Sequence, residues 1–208
     1  MTTLLQLQSS LFSSEGQSSR LASAFVAAWR ERNPGAEIIV RDMAREPVPH
    51  LDAARFQAFL AKAEARTPAQ QAVIEYSDSL IDELRRAEVI VLGLPMYNFG
   101  VPSALKAYFD HVARAGATFR YTEKGPVGLL TGKKAYVFAT RGGKYAGTSR
   151  DLETGFVRQF LGFVGIEDVE FIYAEGLALE EPIRRAAIDE ARNAIGRLAA
   201  PVAWPQAA

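Results

Sequence analysis

Three short stretches hold residue types that chemistry could use. Gln8-Ser9-Ser10-Leu11-Phe12-Ser13-Ser14-Glu15-Gly16-Gln17-Ser18-Ser19 delivers a run of hydroxyls and a glycine to the start of a helical pattern. Free backbone N–H groups and the positive end of the helix dipole favour an anion there, and a phosphate fits. Pro95-Met96-Tyr97-Asn98-Phe99 follows the apolar run Val89 to Leu94 with large flat or polarizable side chains and a carboxamide. Gly100 and Pro102 bracket a turn whose backbone donors and Asn98 carboxamide can read one edge of a flat heterocycle. Thr140-Arg141-Gly142-Gly143 follows another apolar run, and a glycine pair lets a ligand approach the backbone closely. Each stretch alone also has a plainer reading: a capped helix, a plug of core aromatics, an ordinary turn.

Several other chemistries are excluded. Gly132-Lys133-Lys134 is not a phosphate-binding P-loop, because no Ser or Thr follows the lysine and the segment leads into a strand. The three-glycine fingerprint G-x-G-x-x-G is absent, so no nicotinamide nucleotide is expected in the Rossmann manner. The 208-residue chain has no cysteine, which removes disulfides, thiolate nucleophiles and cysteine metal sites, and its two histidines lack ligand-like spacing. Redox chemistry must then come from a borrowed cofactor. Lysine plus arginine equals aspartate plus glutamate at 24 each, without blocks of one sign, which argues against nucleic acid and anionic membranes. No segment approaches the length of apolar run that a membrane span needs, and the first residues enter an apolar alternation at once. A cytoplasmic protein handling a small molecule is expected.

The elements that must position these stretches are legible as alternation. Thr3 to Leu7, Glu37 to Val40, Val89 to Leu94, Ala135 to Ala139 and Val169 to Tyr173 read as strands. Helical spacing appears at Leu21, Phe25, Val26 and Trp29, and again after the capping-box form Thr67-Pro68-Ala69-Gln70. Further helices are expected from Pro102 and Ser103, around Phe156 to Val164, and over Pro182 to Leu198. Arg41 to Arg66 is irregular, with a short helix at Ala53 to Ala65. Strands alternating with helices predict an α/β fold over residues 1–208, a single domain built on a five-stranded parallel sheet of order 2-1-3-4-5 with helices on both faces. In such sheets ligands bind beyond the carboxyl ends of the strands where the order reverses, and all three stretches fall there. An anion site, an edge-reading turn and a glycine pair on neighbouring strand ends together match the phosphate and the two ring sides of a flavin mononucleotide.

With Gln17-Ser18, Arg41-Asp42, Pro47 and Pro49, Pro95 to Phe99, Arg114-Ala115-Gly116, Phe119 to Glu123, Gly132-Lys133-Lys134, Arg141-Gly142-Gly143 and Phe160 to Phe163 in these positions, the chain closely resembles the FMN-dependent NADH-azoreductases, relatives of the flavodoxin-like quinone reductases. The resemblance implies noncovalent FMN held at its phosphate by Ser10, Gly16, Gln17 and Ser18. It implies a ring lined by Pro95, Met96, Tyr97, Asn98 and Phe99 on one side and by Thr140, Arg141, Gly142 and Gly143 on the other. Family members often have serine in place of Gly16 and of Thr140; the first difference leaves only a backbone donor, the second keeps a hydroxyl. It also implies a homodimer with Tyr121 and Phe163 lining the pocket for small aromatic acceptors, quinones and azo compounds, at the subunit boundary. NADH or NADPH would be the donor in a ping-pong cycle transferring two electrons. From the residues alone, a flavodoxin-like electron carrier and a cofactor-free interaction domain stay open.

Overall fold

The computed structural model describes residues 2–199, so the expected domain span of 1–208 extends past the described residues at both ends. Along the chain run β1 (Thr3–Gln8), α1 (Gln17–Arg32), β2 (Glu37–Asp42), α2 (Ala53–Leu60), α3 (Pro68–Arg86), β3 (Val89–Pro95) and α4 (Ser103–Val112). They are followed by β4 (Phe119–Thr122), β5 (Gly125–Gly128), β6 (Lys134–Thr140), α5 (Leu152–Val164), β7 (Asp168–Ala174) and α6 (Glu181–Leu198). The main sheet has five parallel strands in the order β2-β1-β3-β6-β7. Numbered by sheet strands alone this is the expected 2-1-3-4-5. The offset arises because β4 and β5 pair only with each other, as an antiparallel hairpin outside the sheet.

Residues alternate between the two sheet faces because side chains of a strand point to opposite sides in turn. Val89 and Val91 of β3, with Tyr136 and Phe138 of β6, pack under α1 and α6; Ile90 and Leu92 pack under α3, α4 and α5. β1 and β3 are buried along their whole length, and the near-continuous apolar run of β3 is what a two-sided strand demands. Phe25 of α1 is fully buried with ring centroids 4.6 Å from Tyr136 and 5.6 Å from Phe138. Such burial contributes about 1.5–3 kcal/mol and fixes where the first turn of α1 sits over the sheet.

α3 has the expected capping box, with Thr67 accepting from the Gln70 amide, the Gln70 side chain reaching back, and Pro68 in the first turn. The expected helix over 53–65 is interrupted. Asp52 caps α2 by accepting from the Arg55 amide, but Ala61 and Lys62 are extended and only a short 3-10 turn, Ala63–Ala65, follows. Both are good helix formers, so intrinsic propensity is overridden there. Among the described residues no helix is long and apolar enough to cross a membrane.

Candidate functional site

The first wall is the junction of β1 and α1. Ser9 Oγ donates to the Gly93 carbonyl at 2.7 Å, drawing the loop onto β3. Gly93 suits that approach: a Cβ there would lie a tight 3.1–3.3 Å from backbone atoms of Ser18 and Ser19. The first turn of α1 therefore rests directly on the sheet. Gly16 occupies the N-cap position and no side chain caps the helix, so the amides of Gln17, Ser18 and Ser19 are left without helical acceptors. Ser18 and Ser19 are fully buried, and neither hydroxyl has a hydrogen-bond partner. Buried polar groups are ordinarily paired, and an unpaired pair at an uncapped helix start is what an anion would satisfy. Ser10 is buried beside Gly16, and a Cβ on residue 16 would collide with Ser10 Oγ, so any side chain at residue 16 would require Ser10 to turn away. Glu15 does not oppose an anion: its carboxylate is exposed and paired to Arg20 at 2.5 Å.

The second wall is a two-residue turn. Tyr97 and Gly100 exchange both backbone hydrogen bonds at 3.1 Å, while Asn98 and Phe99 adopt left-handed φ of 50° and 65°. Two successive positive φ values match the type I′ hairpin turn, which favours Asn and Gly; Phe in the second position is strained. The Met96 amide is bound to the Thr140 carbonyl at 3.0 Å, and Tyr97 uses its own within the turn, so the outward donors are those of Asn98 and Phe99. Tyr97 ties this wall to the first, its hydroxyl lying 3.4 Å from Ser10 Oγ and accepting from the Leu11 amide at 3.3 Å.

The third wall follows β6. The carbonyls of Arg141, Gly142 and Gly143 accept from Leu177, Ala178 and Gly176 at 2.9–3.1 Å. In a trans peptide the N–H points opposite to the carbonyl before it, so the amides of Gly142 and Gly143 face away from that turn. A Cβ on Gly143 would come within 2.7 Å of Tyr145 Oη, so a side chain there would push the Tyr145 ring aside. Tyr145 in turn meets Phe99 edge-on at 5.8 Å, joining the second and third walls.

Arg141 departs from its expected place against a ring. Its side chain is fully buried and turned into the protein, paired with Asp151 at 2.8 Å and Glu175 at 3.0 Å. Only its backbone belongs to the wall. Burial lowers the guanidinium's proton affinity, but the hydrogen bonds to Asp151 and Glu175 outweigh that and raise it. Tyr145, Asp151, Glu153 and Glu175 were not singled out by sequence reasoning. The available signal was the arginine itself, since a charge placed at the end of a buried strand demands carboxylate partners.

Tyr121 and Phe163 are brought together through Phe119, with centroid distances of 5.4 and 4.3 Å. Among the described residues no aromatic contact links this trio to Phe99 or Tyr145. Tyr121 is 74% exposed. Beside the Asn98–Phe99 turn opens a cleft of about 490 Å³, walled by Phe99, Val101, Leu152 and Phe156.

The doubly wound sheet with these three walls at its switch point defines a protein of the flavodoxin-like class. A profile of the flavodoxin-like fold family matches residues 2–198. The FMN-dependent NADH:quinone oxidoreductase of Cellvibrio japonicus (strain Ueda107) is 59% identical over 85% of this chain and 89% of its own length. The FMN-dependent NADH:quinone oxidoreductase 6 of Burkholderia lata is 53% identical over 94% and 98%. Among solved structures, an FMN-dependent NADH-azoreductase of Bacillus anthracis in complex with FMN superposes with a TM-score of 0.85 at 27% identity, covering 96% of this chain and all of that one. The chain belongs to the FMN-dependent NADH:quinone oxidoreductase and azoreductase family.

Proposed function

We propose that this chain holds FMN noncovalently across the three walls and transfers two electrons from NADH or NADPH to quinones and azo compounds in a ping-pong cycle. The observation that carries the reading is the buried, partnerless Ser18 hydroxyl at an uncapped helix start, on the sheet edge where the Gly142 and Gly143 amides turn outward. The relatives' names and the FMN complex of the azoreductase support it. The isoalloxazine supplies hydride acceptance and donation, for which this chain's side chains have no substitute. Ser18, with Ser10, Gln17 and the Gly16 backbone, binds the phosphate. Pro95 to Phe99 orient one ring side and read its edge. Thr140 and the backbone of Arg141, Gly142 and Gly143 line the other, the glycine amides stabilising negative charge on the ring.

The active unit is a homodimer. Tyr121 is exposed on the hairpin with Val127, and Leu129 is exposed just beyond it, while among the described residues the Tyr121–Phe119–Phe163 trio makes no aromatic contact with its own chain's ring walls. Facing a partner's site, that trio supplies a stacking surface for a flat acceptor. The unit acts as one cytoplasmic domain, consistent with a cysteine-free chain. Initial rates at several fixed quinone concentrations test the cycle: parallel double-reciprocal lines are expected, and intersecting lines would imply a separate nucleotide site.

A further inference from the structure

Beneath the Gly142–Gly143 wall lies a charged cluster whose members do not share one role. Arg141 gives Nη2 to Asp151 Oδ1 at 2.8 Å and to Thr154 Oγ1 at 2.9 Å, and Nη1 to Glu175 Oε1 at 3.0 Å. The same Glu175 oxygen accepts from the amides of Tyr145 and Ala146 at 2.8 and 2.9 Å. One guanidinium thus fastens the far limb of the loop through Glu175. Glu153 stands apart. Its side chain is fully buried and its Oε2 lies 3.5 Å from Arg141 Nε, yet neither carboxyl oxygen nor that Nε makes a hydrogen bond.

Charge counting decides the state of Glu153. Asp151 and Glu175 already take the two terminal nitrogens, so a third carboxylate would leave the cluster at a net charge of −2 with an unbonded buried anion. Such an anion is costly unless it is hydrogen-bonded, which this one is not. Lys106 and His50 line the same cleft as Glu153, but Lys106 is committed to Asp110 at 2.5 Å. Burial pushes the Glu153 carboxyl up to about 8, Arg141 offsetting part of the rise and Asp151 adding to it. Burial also raises Asp151, but hydrogen bonds from Arg141 and from the Thr154 amide and hydroxyl outweigh it and hold that carboxyl below its ordinary value.

We propose that Glu153 is a proton-carrying positioning residue for the Gly142–Gly143 wall: neutral, it leaves Arg141 shared between Asp151 and Glu175; ionised, it draws the guanidinium away and slackens Glu175's hold on Tyr145 and Ala146. Ionisation releases the proton to solvent by way of the cleft beside which the carboxyl is buried, and no other bond changes. The role in flavin binding rests on the function proposed above; the role in ordering the loop does not.

The test follows both. In the flavin-free protein, amide hydrogen exchange at Tyr145 and Ala146, corrected for intrinsic exchange, is measured from neutral to alkaline pH in wild type and Glu153→Gln. Wild type is expected to lose protection about fivefold as pH rises through Glu153's titration, while the variant, unable to ionise, stays flat. In parallel, FMN dissociation constants over the same range are expected to weaken about threefold in wild type alone. Equal pH dependence of exchange in both proteins would overturn the proposal. Absence of FMN binding at any pH, with the exchange difference intact, would refute the flavin reading and leave the loop role standing. Should Glu153→Gln not fold, the carbon-13 carboxyl resonance of Glu153 in wild type decides: a midpoint above neutrality supports the proposal, one in the ordinary carboxylate range overturns it.

Discussion

Ser18 has its hydroxyl buried without a partner where the chain leaves helix amides free. Ser18→Ala should weaken FMN by about two- to thirtyfold, the equivalent of about 0.3–2 kcal/mol for an anion contact at a helix start. The flavin-free fold should lose almost nothing, since removing an unpaired buried hydroxyl sacrifices no hydrogen bond. Fluorescence titration with FMN and thermal unfolding of the apoprotein check the two halves; an equal loss in both would return Ser18 to a packing role. Gly93→Ala should differ by costing about 1–3 kcal/mol of stability as well as FMN affinity, because the new methyl meets the backbone of α1's first turn. The serine-rich segment was legible only as a candidate, since hydroxyls before a helical pattern also cap helices and fill loops. The inward turn of Arg141 was not, since its partners Asp151 and Glu175 come from two other elements and no spacing within one segment announces them.

Among the elements, the Asn98–Phe99 turn holds strain at the point where the site needs a rigid wall. A non-glycine residue in the left-handed region costs about 1–2 kcal/mol, and Phe99 is half exposed, so little core burial offsets it. Phe99→Gly should therefore stabilise the flavin-free protein by about 1 kcal/mol in chemical denaturation. It should also raise the acceptor KM, because the ring that meets Tyr145 and walls the cleft is gone. A destabilised variant with unchanged KM would contradict both statements. The parallel strands were legible from buried apolar runs, and the sheet order followed from their alternation with helices. The β4–β5 hairpin was not, because Gly125-Pro126-Val127-Gly128 contains a proline and two glycines and shows no apolar alternation. Phe119 and Tyr121 look like any aromatic pair until the hairpin places Phe119 between Tyr121 and Phe163.

The whole molecule should show its buried charges in the pH dependence of stability. Glu153 has a folded-state pKa of about 8 against an ordinary 4.5, so its contribution is fully present below the ordinary value and is lost as pH rises to about 8. Asp151 has a depressed pKa and works the other way, its contribution being lost as pH falls below its ordinary 3.8. Apoprotein stability should decline from mildly acidic to mildly alkaline pH, and Glu153→Gln should flatten that decline; a decline equally steep in the variant would assign it to other groups. Assembly makes its own demand. Tyr121→Ala and Phe163→Ala should raise acceptor KM more than they disturb FMN retention, and dilution that separates dimers should lower specific activity in step. A fully active monomer would remove the subunit-boundary pocket while leaving the three ring walls untouched. The most direct measurement of the central claim is a two-step anaerobic titration of the FMN-reconstituted protein. One equivalent of NADH per bound FMN should bleach the visible absorbance with no acceptor present, and one equivalent of quinone, added after the NADH is consumed, should restore it. A protein that retains no FMN, or one whose absorbance changes only when NADH and quinone are present together, would contradict the account.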